Sequence, residues 1–386
     1  MPKPKRIAIF AEDDHMYINQ TLGLKRGFEE LGVEAHVGWP HLSERALTCF
    51  VDNYQPDFVL EIDRFPSQIP GYHPSVKHVT WIHNHAVHGR RVLENASGSH
   101  AVYTALLLKV YGHENFNGGD YQFLPMASDP EVFTDEDTKE LFDFSFVGHM
   151  YEPLTEDILD LNVNAMFDGA QPFPLRDLID LFLKAGFRHD NAQNGEIHAF
   201  LADFFRQFNP NFGVENLPTP LKTFFDERLI RSVARRHVID TLLSISQQVA
   251  FFGNPDWQAW PEYAPYHYGS INRGRELAQL FRSTRVNIHN GPVTMHNRVL
   301  DIMCCGKAAL ISRSRWDDQI SSVQHYFTPG EDYIPYDEDD LHEVAERALR
   351  DEEWRRRVGR NARNRILDGH TWRHRAAFII KDLAQR

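Results

Sequence analysis

Residues 287–313, NIHNGPVTMHNRVLDIMCCGKAALISR, contain the signals that decide the fold. Apolar and turn-forming residues follow one another here in the order of a strand, a loop, a helix and a second buried strand. The predicted elements are a strand at 286–288, a turn at 290–292, a helix at about 296–305 and a strand at 308–311. Such a unit suits a parallel sheet, in which ligands bind at the carboxyl ends of the strands and helix N-termini favour phosphate.

Polar residues gather where this helix begins. Those suited to binding a ligand are Asn290, Thr294, His296, Asn297, Arg298 and Asp301. Arg298 and Asp301 lie one helical turn apart, and a cation and an anion at that spacing suit a diphosphate and a ribose. The same spacing equally suits an i,i+3 salt bridge at the surface, and spacing alone does not distinguish the two.

The composition limits the class of protein and the kind of partner. A chain of 386 residues suggests two domains, and 42% hydrophobic residues suffice for a core. The net charge of −13 argues against nucleic acid as the main partner, although a basic cluster at Arg231, Arg235 and Arg236 suits a small anion. No apolar run reaches the length of a transmembrane helix, and the N-terminus is predicted to be a strand and not a signal peptide. Three cysteines without a metal-binding spacing fit a reducing cytoplasm.

The order of the predicted elements favours two α/β halves. The strand–helix–strand pattern of residues 6–37 is the usual opening of a doubly wound sheet. No G-x-G-x-x-G follows the first strand, so dinucleotide binding is not expected there. The second half begins with a strand at 143–148 and continues into a Phe-rich helical region at 155–247. The halves join near residues 125–142, and a cleft between two such halves is a common ligand site.

Several motifs then occur in a fixed order along the chain. They are LPMASDPEVF at 124–133, FSFVG at 144–148, NRVLDIMCCG at 297–306, GRNARNRIL at 359–367 and HTWRHR at 370–375. In this order they resemble the spore-maturation-protein-B-like branch of the GT-B glycosyltransferases. The resemblance covers about residues 120–380, whereas residues 1–120 show only the general α/β pattern of an acceptor domain.

The resemblance implies a GT-B fold, in which two Rossmann-like domains face a cleft. The implied parts are an acceptor domain at 1–135, a donor domain at 136–369 with a helical insertion at about 155–247, and a helix at 370–386 that crosses back to the first domain. The implied activity is transfer of a sugar from a nucleotide-diphosphate donor, such as a UDP-, GDP- or TDP-sugar, to an acceptor hydroxyl. The resemblance implies neither a cofactor nor a metal.

The resemblance also assigns a donor site. Asp301 matches a glutamate that binds the nucleotide ribose, and Gly148 matches a loop glycine that lets the backbone approach the donor phosphates. His149 is then expected to face the cleft, and Arg298, with the loop amides from Thr294 to Asn297, to bind the diphosphate. Asn290 lies at the carboxyl end of the strand, where its side chain suits either a contact with the sugar or a cap of the turn. Val293 occupies the position at which retaining relatives carry a sugar-binding glutamate, so the stereochemistry is left open.

The first half contains candidates for a catalytic base at two predicted strand ends. The candidates are Asp13, His15, His83 and His85. The alternative for the acids after the first strand is that they cap the next helix. A zinc site at His83, His85 and His88 is disfavoured because GT-B transferases generally do not need a metal.

Other functions remain open at this point. A catalytically silent GT-B scaffold would keep the fold without the reaction, and a nucleotide-sugar epimerase would use the fold for another reaction. The Phe-rich region suits a homodimer surface, an acceptor platform or internal packing.

Overall fold

The computed structural model describes residues 3–72, 74–83, 97–105, 121–167, 171–188 and 194–386. Within these ranges the chain forms two parallel β-sheets with helices on their faces. The N-terminal sheet has the strand order β2-β1-β3-β4-β5-β6, and the C-terminal sheet has the order β11-β10-β9-β7-β8. The N-terminal strands are β1 (Arg6–Phe10), β2 (Glu34–Gly38), β3 (Phe58–Ile62), β4 (Lys77–Ile82), β5 (Ala101–Thr104) and β6 (Tyr121–Phe123). The C-terminal strands are β7 (Phe142–Val147), β8 (Val249–Phe252), β9 (Thr284–His289), β10 (Ala308–Ser312) and β11 (Ile334–Tyr336).

The N-terminal sheet is buried on both faces, as its continuous apolar strands require. In β1, Ile7 and Ile9 join one apolar cluster, and Ala8 and Phe10 join another on the opposite face. Helix α1 (His15–Glu30) covers the first face, and α2 (Glu44–Tyr54) covers the second.

Between β7 and β8 the described residues are mainly helical. The helices are α3 (Glu156–Leu159), α4 (Leu175–Lys184), α5 (Asn194–Arg206), α6 (Thr219–Thr223) and α7 (Ile230–Ile245). A π-helical turn, Phe224–Leu229, joins α6 directly to α7. Much of this region packs into an apolar cluster of its own, which is rich in phenylalanine. The Phe-rich region therefore packs internally in the described residues.

The remaining helices pack beside the C-terminal sheet, except the last, which packs with the N-terminal sheet. They are α8 (Arg275–Arg282), α9 (Asn297–Cys304), α10 (Leu341–Arg350), α11 (Glu352–Gly369) and α12 (Trp372–Gln385). Helix α12 packs against α1 at Gly23 and Gly27, where a Cβ atom would collide with Trp372. Small residues are needed there because the two helices approach closely.

The α/β fold class predicted from the sequence is confirmed, and the element bounds differ in detail. Helix α9 begins at Asn297 with His296 as its N-cap and ends at Cys304, within the predicted range of about 296–305. The predicted domain boundaries and the insertion stay predictions. No helix in the described ranges is both long enough and apolar enough to cross a membrane.

Candidate functional site

A cavity of about 390 Å³ opens at the carboxyl ends of β7 and β8. Its wall includes Met16 of α1, residues 147–149 at the carboxyl end of β7, Gly253 after β8 and residues 296–298 at the start of α9. The wall therefore combines the loops after two parallel strands with the N-terminus of a helix. That is the usual place for a ligand in an open α/β sheet, and it favours an anion.

Two glycines let the backbone form the floor of this cavity. A Cβ atom at Gly253 would collide with the carbonyl oxygen of Gly148. A Cβ atom at Gly148 would lie 2.7 Å from Cε1 of Phe146. Because neither position has room for a side chain, the loops after β7 and β8 pack closely against each other beside the cavity.

Four arginines line the cavity: Arg231 and Arg235 from α7, Arg273 before α8, and Arg298 in α9. Arg235 donates to the carbonyl oxygen of His149, and Arg298 donates to that of Val147. Among the described residues, none of Arg231, Arg235 and Arg298 has a carboxylate partner. The Nε atoms of Arg231 and Arg235 are buried without a hydrogen-bond partner in the same part of the chain. Within the described ranges, the cavity thus has three guanidinium groups that form no ion pair with a carboxylate.

Burial and the charges of neighbouring arginines lower the pKa of Arg235, Arg298 and His149. Burial lowers the pKa of Arg298 to about 10, while Asp301 raises it and Arg231 lowers it further. The pKa of Arg235 is lowered well below its ordinary value by burial, then by Arg231 and Arg298. Burial and the charges of these arginines also lower the pKa of His149. An anion in the cavity would relieve this mutual repulsion.

The start of α9 is built around His296. Its Nδ1 accepts a hydrogen bond from the backbone N–H of Arg298 at 3.2 Å, so the ring caps the helix. Its ring stacks on that of His289, with 5.1 Å between the ring centroids. Burial, followed by the charge of Arg298, lowers the pKa of His289 to about 3 and that of His296 well below its ordinary value. Both rings are therefore neutral at pH 7.

Three of the predicted donor residues, Asn290, Thr294 and Asp301, do not line the cavity. Thr294 is buried, and its hydroxyl oxygen accepts from the backbone N–H of Val323 at 2.9 Å. Asn290 follows β9, and its Oδ1 atom has no partner within the described residues. Gly148, His149, His296, Asn297 and Arg298 do line the cavity.

Asp301 is fully buried and does not line the cavity either. Arg273 holds it through two hydrogen bonds, from Nε to Oδ2 at 2.8 Å and from Nη2 to Oδ1 at 2.9 Å. Ser128 donates a third to Oδ1 at 2.7 Å. The surface salt bridge that Arg298 and Asp301 could form by spacing is absent from the described residues, because Asp301 pairs with Arg273.

The three candidate bases that lie in the described residues differ in exposure. Asp13 and His15 are exposed in the loop after β1 and at the start of α1, next to the cavity residue Met16. Asp14 caps α1 by accepting from the backbone N–H of Met16 at 2.7 Å, so one acid of this loop has the capping role. His83 is buried, its Nδ1 lies 2.7 Å from Oε1 of Gln20, and burial followed by Arg273 lowers its pKa to about 3. His85 and His88 lie outside the described residues.

A larger cavity of about 750 Å³ lies at the other end of the C-terminal sheet, near the amino ends of β9 and β10. Its basic residues are largely neutralised by acids of the segment that joins the two sheets. Glu140 pairs with Lys307 at 3.0 Å and with Arg285 at 3.3 Å. Because these charges are already paired, the smaller cavity is the better anion site despite its size.

Two parts of the cavity were not assigned by sequence. The cluster of Arg231 and Arg235 was visible as a basic sequence in a helical region, but nothing connected it to α9. Arg273 is an isolated basic residue before α8 and gave no signal, because its partners, the Asp301 carboxylate and the Ala127 carbonyl, are distant along the chain.

Comparisons with known proteins support the fold. The glycosyl transferase-like family model matches residues 225–381, which include α7, α9 and most of α12. No curated protein sequence matches the chain. A crystal structure of the Anabaena protein HepE in complex with UDP-glucose has a TM-score of 0.51 to this chain at 9% sequence identity, and covers 99% of this chain and 100% of that one.

A second crystal structure of HepE, in complex with UDP and glucose, has a TM-score of 0.50 at 9% identity over the same shares of the two chains. At such identity the similarity establishes the fold alone. The predicted resemblance to the GT-B glycosyltransferases is confirmed, whereas the spore-maturation-protein-B-like branch stays a prediction. Residues 225–381 match the glycosyl transferase-like family, and the two parallel sheets of the whole chain have the GT-B glycosyltransferase fold.

Proposed function

We propose that this protein is a glycosyltransferase that moves a sugar from a nucleoside-diphosphate donor to an acceptor hydroxyl. The observation that carries the proposal is the group of Arg231, Arg235 and Arg298, which face one cavity without a carboxylate partner among the described residues. A diphosphate supplies the missing negative charge. The fold supports the same function, since the similar HepE structures contain UDP-glucose, or UDP and glucose.

The arginines suit a diphosphate by charge and by shape. A guanidinium group presents paired N–H donors that match phosphate oxygens, and it stays charged when buried. The N-terminus of α9 at Asn297 adds the partial positive charge of a helix. Gly148, His149 and His296 complete the proposed donor site, with the backbone of Gly253 beside them.

The same groups would serve the reaction. Cleavage of the sugar–phosphate bond leaves more negative charge on the departing diphosphate than it had in the donor. Fixed cations in a cavity stabilise that developing charge, and they need no reorganisation when the bond breaks. We therefore assign Arg231, Arg235 and Arg298 to donor binding and to stabilisation of the leaving group.

The acceptor side is proposed at the loop after β1. Asp13 and His15 are exposed there beside Met16, which reaches the cavity wall, so either side chain is accessible to an acceptor. His83 is a weaker candidate for the base because burial lowers its pKa to about 3. His85 stays a prediction, and so does the stereochemistry.

Ligand binding tests the donor site. UDP, GDP and TDP, each at about 100 times its Kd, should stabilise the protein by about 3 kcal/mol where the base is accepted, because each binds only the folded state. Arg231→Gln should weaken the binding about tenfold. Arg236→Gln is the matched control: it removes the same charge from the same helix, but Arg236 lies over the ring of Trp260 outside the cavity. A protein that no nucleotide stabilises does not have this donor site.

Donor hydrolysis tests the reaction itself. An active transferase releases sugar slowly from its donor when water replaces the acceptor, whereas a silent scaffold binds the donor and leaves it intact. We expect release of free sugar from the nucleotide sugar that gives the largest thermal stabilisation, measured by chromatography. Binding without any release would favour the scaffold.

A further inference from the structure

We propose that Asp301 does not bind the donor ribose but positions Arg273 at the cavity, so that donor affinity comes from the diphosphate and not from the ribose hydroxyls. The inference rests on the proposed function, because it concerns the same donor site. It assigns a positioning role to the residue at which the sequence predicts the ribose contact.

The first observation is that both carboxylate oxygens of Asp301 are already occupied. Oδ2 accepts from Nε of Arg273 at 2.8 Å, and Oδ1 accepts from Nη2 of Arg273 at 2.9 Å and from Ser128 at 2.7 Å. The residue is 0% exposed. A ribose could reach this carboxylate only by replacing a buried, bidentate ion pair, and breaking such a pair leaves an uncompensated charge.

The second observation concerns the cavity wall. Among the described residues, no aspartate or glutamate lines it. A carboxylate is the group that commonly accepts hydrogen bonds from ribose hydroxyls in nucleotide-binding α/β folds. The wall instead contains four arginines, which only donate hydrogen bonds and therefore favour phosphate oxygens.

The third observation is that Arg273 is fixed on several sides. Asp301 holds two of its nitrogens, Nη2 also donates to the carbonyl oxygen of Ala127 at 3.2 Å, and the guanidinium lies 5.7 Å from the ring centroid of Phe133. Asn19 of α1 donates to the backbone carbonyl of Arg273 at 3.0 Å. These contacts leave little freedom for a side chain that lines the cavity.

One nitrogen of Arg273 remains for a ligand. Nη1 is buried and has no hydrogen-bond partner among the described residues. A buried unpaired donor is unfavourable, and the oxygen of a bound phosphate would satisfy it. Asp301 thus holds Nε and Nη2, which form one edge of the guanidinium, so that Nη1 can bind the anion.

Binding measurements on the full-length protein separate a positioning role from a ribose contact. Isothermal titration would use UDP and 2′-deoxy-UDP, GDP and 2′-deoxy-GDP, and inorganic pyrophosphate. We expect each ribose and deoxyribose pair to bind with Kd values within about twofold of each other. This comparison uses the unchanged protein, so it does not depend on the folding of any variant.

Asp301→Asn gives the second measurement. It keeps the size of the side chain but removes the charge that holds Arg273, so we expect UDP and pyrophosphate to bind about tenfold more weakly, by the same factor. Arg273→Gln should give the same equal loss, and the double variant should lose no more than either single variant because the two residues act as one unit. Melting temperatures without ligand would show which variants fold.

Two results would overturn the inference while leaving the donor site intact. One is a preference of tenfold or more for the ribose form over the deoxyribose form in the unchanged protein. The other is an Asp301→Asn variant that loses affinity for UDP but binds pyrophosphate as before. If neither the nucleotides nor pyrophosphate bind the unchanged protein, the proposed function fails and this inference fails with it.

Discussion

At the scale of single residues, His83 and His289 show what burial beside arginines does to an ionisable group. Burial lowers the pKa of each to about 3, and Arg273 and Arg298, respectively, lower it further. In the unfolded chain the same side chains have a pKa near 6.5. Between about pH 6.5 and pH 3, both rings are therefore neutral in the folded state and protonated in the unfolded state.

This difference predicts a loss of stability in mild acid. Above pH 6.5 both states leave these rings neutral and the stability is fully present. As the pH falls from 6.5 towards 3, only the unfolded state gains protons, so the free energy of unfolding decreases. At pH 5.5, protonation of each ring in the unfolded state should lower the free energy of unfolding by about 1 kcal/mol. Urea unfolding at pH 7.5 and at pH 5.5 measures this decrease in the free energy of unfolding. In the His289→Gln variant the decrease should be smaller than in the unchanged protein, by about the contribution of one ring. An equal decrease in both proteins would contradict the prediction.

Residues also show what sequence can and cannot predict about the site. Arg298, Asn297 and His296 were predicted because they start a helix next to a recognisable strand, and local signals of that kind survive in a single sequence. The partner of Asp301 could not be predicted, because Arg273 is 28 positions away and Ser128 is 173 positions away. Which acid meets which base across such distances is decided by packing of whole elements.

At the scale of elements, the contact between α1 and α12 depends on the absence of side chains. A Cβ atom at Gly27 would collide with the backbone of Trp372, and one at Gly23 with its indole ring. The two helices cannot easily move apart, because Trp372 also packs in the buried cluster that contains Leu24 and Phe28 of α1. The contact is therefore rigid and sensitive to one added methyl group.

Gly27→Ala should destabilise the protein by about 1–3 kcal/mol, since overpacking at a closed contact moves backbone. Gly195→Ala is the matched control, because Gly195 also lies in a helix but has nothing within 4 Å of the place that a Cβ atom would occupy. That change should stabilise by up to about 1 kcal/mol through helix propensity. Chemical denaturation of the two variants measures both signs, and a neutral Gly27→Ala would show that the helices can separate.

Elements were predictable where their signal was long or strongly apolar. The strands 6–11, 143–148 and 308–311 were found because their residues are mostly apolar and are buried on both faces. Helix α2 was missed because it buries only Leu47 and Val51, too few residues for a clear apolar stripe. Strand β11 was missed because it has only three residues.

At the scale of the whole molecule, helix α12 packs against the N-terminal sheet, although the two are far apart along the chain. Trp372, Ala376, Ile379 and Leu383 of α12 belong to the same buried cluster as the strands of the N-terminal sheet. Tyr103 of β5 donates to Asp382 of the same helix at 2.6 Å. The N-terminal sheet therefore lacks part of its core until the rest of the chain is present.

A fragment of residues 1–135 should not fold alone, because losing these apolar contacts removes roughly 6 kcal/mol. That is comparable to the roughly 5–15 kcal/mol that stabilises a typical protein. The same fragment joined to residues 370–386 through a flexible linker should fold cooperatively. Circular dichroism and the dispersion of amide NMR signals would distinguish the two, and a cooperative transition in the shorter fragment would contradict the prediction.

The π-helical turn between α6 and α7 has a geometric consequence for the cavity. A π-turn holds one residue more than an α-turn, and one residue corresponds to about 100° of rotation around a helix axis. The angular phase of everything after Phe224–Leu229 is therefore set by that turn. Arg231 and Arg235 lie in the first turns of α7, directly after it. The direction in which their guanidinium groups point therefore depends on this turn, which connects α7 without a break to α6 of the Phe-rich region.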